Sequence, residues 1–151
     1  MPAALTRLDD VAVLVIRFDR SRAGFDVELP AAARELVGLR HRVERWLEGA
    51  GASPATKRDI TLAVHEAAAN VVRHAYRHHG TTTGEDGATL RVSARRENGA
   101  LEVVVSDTGT WRARSSTNGG GRGIDLMQAL MDDVAVESGE RGTTVTLVHS
   151  I

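Results

Sequence analysis

The sequence predicts a two-layer α/β (α+β) sandwich: a mixed sheet with helices on one face. Two observations lead there. After residue 24 the segments run strand, helix, helix, hairpin, loop, helix, hairpin. The strands outnumber the crossovers that all-parallel pairing needs, which argues against a doubly wound sheet and for a mixed one.

Each element has its own local reason. Phe25–Leu29 alternates apolar and charged residues and ends at Pro30, a strand pattern. Over Ala31–Glu48 the residues Ala32, Leu36, Leu39, Val43 and Leu47 recur at steps of three and four, a helical period that Gly49–Gly51 stops. Ser53-Pro54 starts the second helix, whose apolar face to about Arg77 is Ile60, Val64, Ala67, Val71 and Ala75. Gly80–Gly87 reads as a polar loop. Ala88–Arg95 and Ala100–Ser106 are strands turned by Glu97-Asn98-Gly99, a hairpin signal. A stretch over Asp107–Gly121 leads into a helix at Ile124–Met131. The hairpin strands Val134–Glu137 and Thr143–Val148 close the chain around a Gly139–Gly142 turn.

Composition narrows the function classes. At 151 residues the chain is close to one domain, long enough to bury a core without staples. It has no cysteine, which excludes disulfide scaffolds, thiol chemistry and cysteine-bound zinc. The longest apolar run, Val11–Ile16, is too short to span a bilayer and follows no signal pattern, so a cytoplasmic protein without a membrane partner is expected. A net charge of −1 and 3% aromatic residues leave neither a basic field nor a stacking platform for direct nucleic-acid binding. The basic residues are nearly all arginine; Lys57 is the only lysine.

Four places could carry chemistry. On the second helix, HEAAANVVRHAY sets Glu66 and Asn70 one turn apart on one face, with Arg73 nearly above Glu66. The small residues Ala67–Ala69 leave a groove there. An amide oxygen suits Mg²⁺ that also holds phosphates, and a carboxylate one turn away can take a proton from an attacking hydroxyl. His65 and His74, nine apart, do not converge on a metal. Asp107-Thr108-Gly109 ends a strand, placing a carboxylate at the sheet rim, where it can accept from an exocyclic amine such as that of adenine. Gly119-Gly120-Gly121-Arg122-Gly123 opens a helix, where backbone N–H groups and Arg122 suit phosphate. It is neither a P-loop nor a dinucleotide fingerprint. Gly142-Thr143-Thr144 starts the last strand. Taken singly, these are a solvent-facing pair, a turn aspartate, a floppy loop and a β-former.

Their order points further. A Glu-x-x-x-Asn helix, an Asp-x-Gly strand end, a Gly-rich helix start and a Gly-Thr strand start follow one another in the nucleotide-binding superfamily of gyrase-type topoisomerases, heat-shock chaperones, histidine kinases and mismatch-repair ATPases. Within it the chain resembles the bacterial anti-sigma factors that are serine-protein kinases, through HEAAANVVRHAY, GRGIDLMQALMDDVAVES and GTTVTL, over about residues 25–150. The resemblance implies a Bergerat-type ATP-binding fold and an ATP- and Mg²⁺-dependent protein-serine kinase. Asn70 would coordinate Mg²⁺ and Glu66 would be the catalytic base. Asp107 would bind the adenine amine, with Gly109 giving room and Thr143 supporting it. Gly119, Gly121, Arg122 and Gly123 would wrap the phosphates at the end of a lid, Thr110–Gly120, expected to be poorly ordered without nucleotide; Arg73 would join the nucleotide site. The implied partners are an anti-anti-sigma protein of STAS type, whose serine is the acceptor, and a sigma factor that the domain sequesters; the implied assembly is a homodimer.

One departure stands out: Trp111 occupies the second glycine of the usual Asp-x-Gly-x-Gly box. That favours an alternative, a nucleotide-responsive, partner-binding switch with little or no kinase activity. A histidine-kinase catalytic half would need a dimerising helical hairpin bearing a phosphoacceptor histidine, and no such segment is read here. RLDDVAVLVIRF, in turn, resembles the last strand of 2C-type metal-dependent phosphatases, with Asp9 or Asp10 at the metal-holding place. On that resemblance residues 1–18 end an upstream phosphatase domain, 19–24 are a linker and 25–151 are the ATP-binding domain; the other reading is an extra edge strand.

Overall fold

The computed structural model describes residues 24–79, 88–107, 121–140 and 142–151, and side chains within the second helix as far as Arg73. The elements are β1 (Phe25–Pro30), α1 (Glu35–Gly49), α2 (Pro54–His79), β2 (Thr89–Glu97), β3 (Ala100–Asp107), α3 (Gly121–Leu130), β4 (Asp133–Gly139) and β5 (Gly142–Ser150). The expected order from residue 25 onward is the order found. Residues 1–18 and the linker to residue 23 lie outside the described residues.

The five strands form one sheet in the order β1-β2-β3-β5-β4. Every pairing is antiparallel, which corrects the expectation of mixed pairing within an otherwise two-layer α/β architecture. The reason lies in the connections. Two helices separate β1 from β2, so the chain reverses three times, at each of the three junctions, and returns antiparallel. A single helix joins β3 to β4, which therefore run the same way, but β5 is inserted between them.

Alternation sets the core. Val27 and Leu29, Leu90, Val92 and Ala94, Leu101, Val103 and Val105, and Val145 and Leu147 point to one face and are buried. Helix α2 lies across β2, β3 and β5, α1 reaches β1, and α3 reaches β4. Ile60, Ala63, Val64, Ala67 and Ala68 of α2 are almost wholly buried in the same cluster. Burial of each large aliphatic side chain contributes about 1.5–3 kcal/mol, so this layer carries most of the fold's stability. The opposite face is polar and is laced by Arg91–Asp26 and by Arg95–Glu102 at 2.8 Å.

Local signals behave as their chemistry requires. Ser53 Oγ accepts the Thr56 N–H at 3.1 Å and caps α2. Gly51, at φ +74°, ends α1, and Ala52 N–H reaches back to the Leu47 carbonyl. Asn98 and Gly99, both at positive φ, make the tight β2–β3 turn. Helix α1 begins at Glu35, later than the apolar period suggests, because Ala31 N–H bonds the Ala88 carbonyl and Ala32 N–H the Pro30 carbonyl. Helix α3 begins at Gly121, three residues before Ile124, so Gly121, Arg122 and Gly123 are its first turn.

Candidate functional site

Asp107 and Thr143 come together at one end of the sheet, on the helix-covered side. Strand β3 ends there at Asp107 and β5 begins there; Ser106 pairs with Thr144. Asp107 shares the inward parity of Leu101, Val103 and Val105, and Thr143 that of Val145 and Leu147. The two meet: the Thr143 N–H donates to Asp107 Oδ1 at 3.4 Å. Thr143 is only 5% exposed, and its hydroxyl lies 3.2 Å from Ser138 Oγ on β4. Ser138 has no role in the sequence reading. The signal available was the register of the last hairpin, which sets Ser138 opposite Thr143.

The helices carry the second half of the candidate site. Asn70 and Glu66 stand together on α2, and the first turn of α3 comes up against them. A β-carbon at Gly123 would be 3.3 Å from Asn70 Nδ2 and 3.5 Å from Glu66 Oε2. A side chain at this position would need the Asn70 amide to give by a few tenths of an ångström, and this approach joins two motifs more than fifty residues apart. Arg73 closes the cluster from the next turn of α2. Its Nη2 donates to Asn70 Oδ1 at 2.6 Å and lies 3.8 Å from Glu66 Oε2. Its Nε donates to the Ala69 carbonyl at 3.3 Å.

Other predicted residues fall differently. Gly121 and Arg122 are exposed at the start of α3. Gly109, Trp111 and Gly119 lie outside the described residues, as does the side chain of His74. His65 is half-buried on α2. Lys57 pairs with Glu48 and ties the start of α2 to the end of α1. Thirteen residues of helix put it about 20 Å along the axis from Asn70, so it belongs to a structural tie and not to this cluster.

The donor set suits a hard divalent cation carrying a phosphate ligand. It offers a neutral amide oxygen beside a carboxylate, next to the first turn of α3 at Gly123. No group of three or more His, Cys, Asp or Glu side chains among the described residues is placed to hold a metal unaided. No helix among them is long and apolar enough to cross a membrane.

Known proteins resemble the chain over this same region. A family model described as the histidine kinase-like ATPase domain matches residues 29–149. The serine-protein kinase RsbW of Staphylococcus epidermidis is 28% identical over 137 residues, covering 83% of this chain and 86% of that protein. The serine-protein kinase RsbW of Oceanobacillus iheyensis is 32% identical over 90 residues, 53% of this chain and 57% of its own length. Among solved structures, the RsbU and RsbW domains of Rv1364c from Mycobacterium tuberculosis match with TM-score 0.64 at 26% identity over 83% of this chain. This chain spans 32% of that longer one. A histidine kinase domain from Erythrobacter litoralis EL346 shares the fold, with TM-score 0.54 at 20% identity over 81% of this chain and 61% of its own. The match therefore runs from the fifth residue of β1 almost to the end of β5 and takes in both halves of the site, and the chain belongs to the histidine kinase-like ATPase domain family.

Proposed function

We propose that this chain is an ATP- and Mg²⁺-dependent serine-protein kinase domain that phosphorylates a serine of an anti-anti-sigma protein of STAS type and sequesters a sigma factor. One observation carries the reading: the first turn of α3 meets Glu66 and Asn70 through Gly123, in a chain whose relatives are named serine-protein kinases. On this reading, that contact supports a helix start suited to phosphate lying beside the proposed base and the proposed cation ligand.

Each residue then has a task. Asp107, oriented by the Thr143 N–H, accepts a hydrogen bond from the adenine amine, and Gly109 leaves room for the base. Gly119, Gly121 and Gly123 present backbone to the phosphates, with Arg122 and Arg73 as charged donors. Asn70 Oδ1 would hold Mg²⁺, which supplies neutralisation of phosphate charge when bound. Glu66 takes the proton of the acceptor serine as its oxygen bonds to the γ-phosphorus; the bond from that phosphorus to the bridging oxygen breaks, and ADP leaves. Such transfer depends on positioning and electrostatic stabilisation, so a site without a lysine can carry it.

Residues 1–18, as the last strand of a preceding domain, and 19–24, as a linker, form part of this proposal. Its support is that the solved neighbour carries an RsbU domain in one chain with its RsbW domain.

Incubation with radiolabelled ATP and a candidate anti-anti-sigma protein tests the reading. Label should appear on a partner serine and fall by about 10²–10⁴-fold in Glu66→Ala. ATP binding without transfer would favour instead the partner-binding switch that Trp111 suggests.

A further inference from the structure

Arg73 does something that nucleotide binding alone does not call for. Its guanidinium is already engaged, and the oxygen it engages is the one that the proposed function gives to the cation. Nη2 donates to Asn70 Oδ1 at 2.6 Å and stands 3.8 Å from the Glu66 carboxylate. The same guanidinium is also tied to the helix backbone, where Nε donates to the Ala69 carbonyl at 3.3 Å. A charged donor at 2.6 Å is a strong partner for an amide oxygen. Even so, the Arg73 side chain is 58% exposed, whereas that of Glu66 is 26% exposed. An ion pair so open to water is weakly held and readily exchanged for a better one.

We propose that Arg73 is the resident counter-cation of the nucleotide-free site: it occupies Asn70 Oδ1 and screens Glu66, so that a divalent cation is admitted only together with a nucleotide. The inference rests on the proposed function, because the release step needs phosphate. A divalent ion arriving alone meets a guanidinium on its amide ligand, with the same guanidinium 3.8 Å from the carboxylate beside it. A nucleotide brings several negative charges to the exposed side of Arg73, and phosphate oxygens match the planar fork better than one amide oxygen does. The fork turns outward, Oδ1 is freed, and the cation enters with its phosphates. Loading of metal and nucleotide thus becomes one coupled event, and the coupling is reciprocal.

The test is Mn²⁺ uptake by the full chain, followed through the electron paramagnetic resonance signal of the free ion, without nucleotide and with ATP. Wild type should take up Mn²⁺ at this site far more weakly without ATP than with it. Arg73→Ala should bind Mn²⁺ without nucleotide, with an affinity about tenfold or more above wild type, the effect of removing one nearby positive charge. Adding Asn70→Ala to that variant should abolish the gain. Equal nucleotide-free uptake by wild type and Arg73→Ala, including none by either, overturns the role of Arg73 while leaving the functional reading intact. Failure of wild type to bind ATP with or without metal overturns the functional reading and with it the release of Arg73 by phosphate. Circular dichroism of the variant, expected unchanged for an exposed side chain, separates the effect from unfolding.

Discussion

The two halves of the site are held by different kinds of interaction. The strand half, Asp107 with Thr143, is positioned by backbone register: β3 and β5 pair from Ala100 to Ser106, and a main-chain N–H touches the carboxylate. The helix half, Glu66, Asn70, Arg73 and Gly123, is positioned by side chains on a half-buried stripe of α2 and by the close approach of α3. Register cannot shift without breaking a ladder, whereas side-chain contacts at a helix surface can exchange partners. A rigid half suits recognition of a base that does not change. An adjustable half suits phosphates and a cation that arrive, react and leave.

Substitutions in either half test this contrast. The largest effect is expected from Asn70→Ala, which removes the amide oxygen: Mg²⁺ should no longer strengthen ATP binding, as calorimetry with and without EDTA would show. Unchanged affinity with Mg²⁺ would take the cation role from Asn70. Next comes Asp107→Asn in the rigid half. It exchanges a carboxylate for an amide that can present a donor to the adenine amine, and nucleotide affinity should fall by about tenfold with or without Mg²⁺, from the loss of a charged hydrogen bond. A loss confined to Mg²⁺-containing buffer would blur the distinction between the halves. The smallest change, Gly123→Ala, asks how adjustable the helix half is. Alanine favours a helix by about 1 kcal/mol over glycine, but its β-carbon would sit 3.3 Å from Asn70 Nδ2. The denaturation midpoint should hardly move while Mg²⁺-dependent ATP affinity drops severalfold. A marked loss of stability would mean that the seam between α2 and α3 has no slack.

A remote carboxylate provides a control on pH. Asp132, at the other end of α3, is held below its ordinary carboxyl range by the Ser150 N–H and by His149. A carboxylate whose folded pKa is depressed stabilises the protein above its unfolded pKa, and that contribution is lost as pH falls through the folded one. Asp132→Asn should therefore remove a small part of the acid sensitivity below about pH 4, measured by thermal denaturation, and leave nucleotide binding alone.

Much of this was legible in the chain. The glycine-terminated α1, the Ser53 cap and the Asn98-Gly99 turn are local: their chemistry lies within a few residues, and the structure follows it. The stacking of Glu66, Asn70 and Arg73 follows from helical spacing. The start of α1 was not legible, because Ala31 extends the ladder to Ala88 rather than entering the helix. Nor was the wholly antiparallel sheet. No local pattern states that β5 slips between β3 and β4. Ser138 was half legible: the register of its hairpin puts it opposite Thr143, but the hydroxyl contact needs both side chains to turn inward.

By itself the sequence determined the elements, their order, their apolar faces and the helix carrying Glu66 and Asn70, because propensity, periodicity and capping act over a turn or a hairpin. Only the tertiary structure decided that Gly123 packs against that pair, that Thr143 holds Asp107, and that Arg73 rests on the amide oxygen. The first two join segments tens of residues apart, and their energy appears only once the sheet and helices have closed the chain between them. The third lies within reach of one helix turn, yet an exposed arginine has many rotamers, and which partner it takes depends on where the Glu66 carboxylate and the first turn of α3 have come to rest.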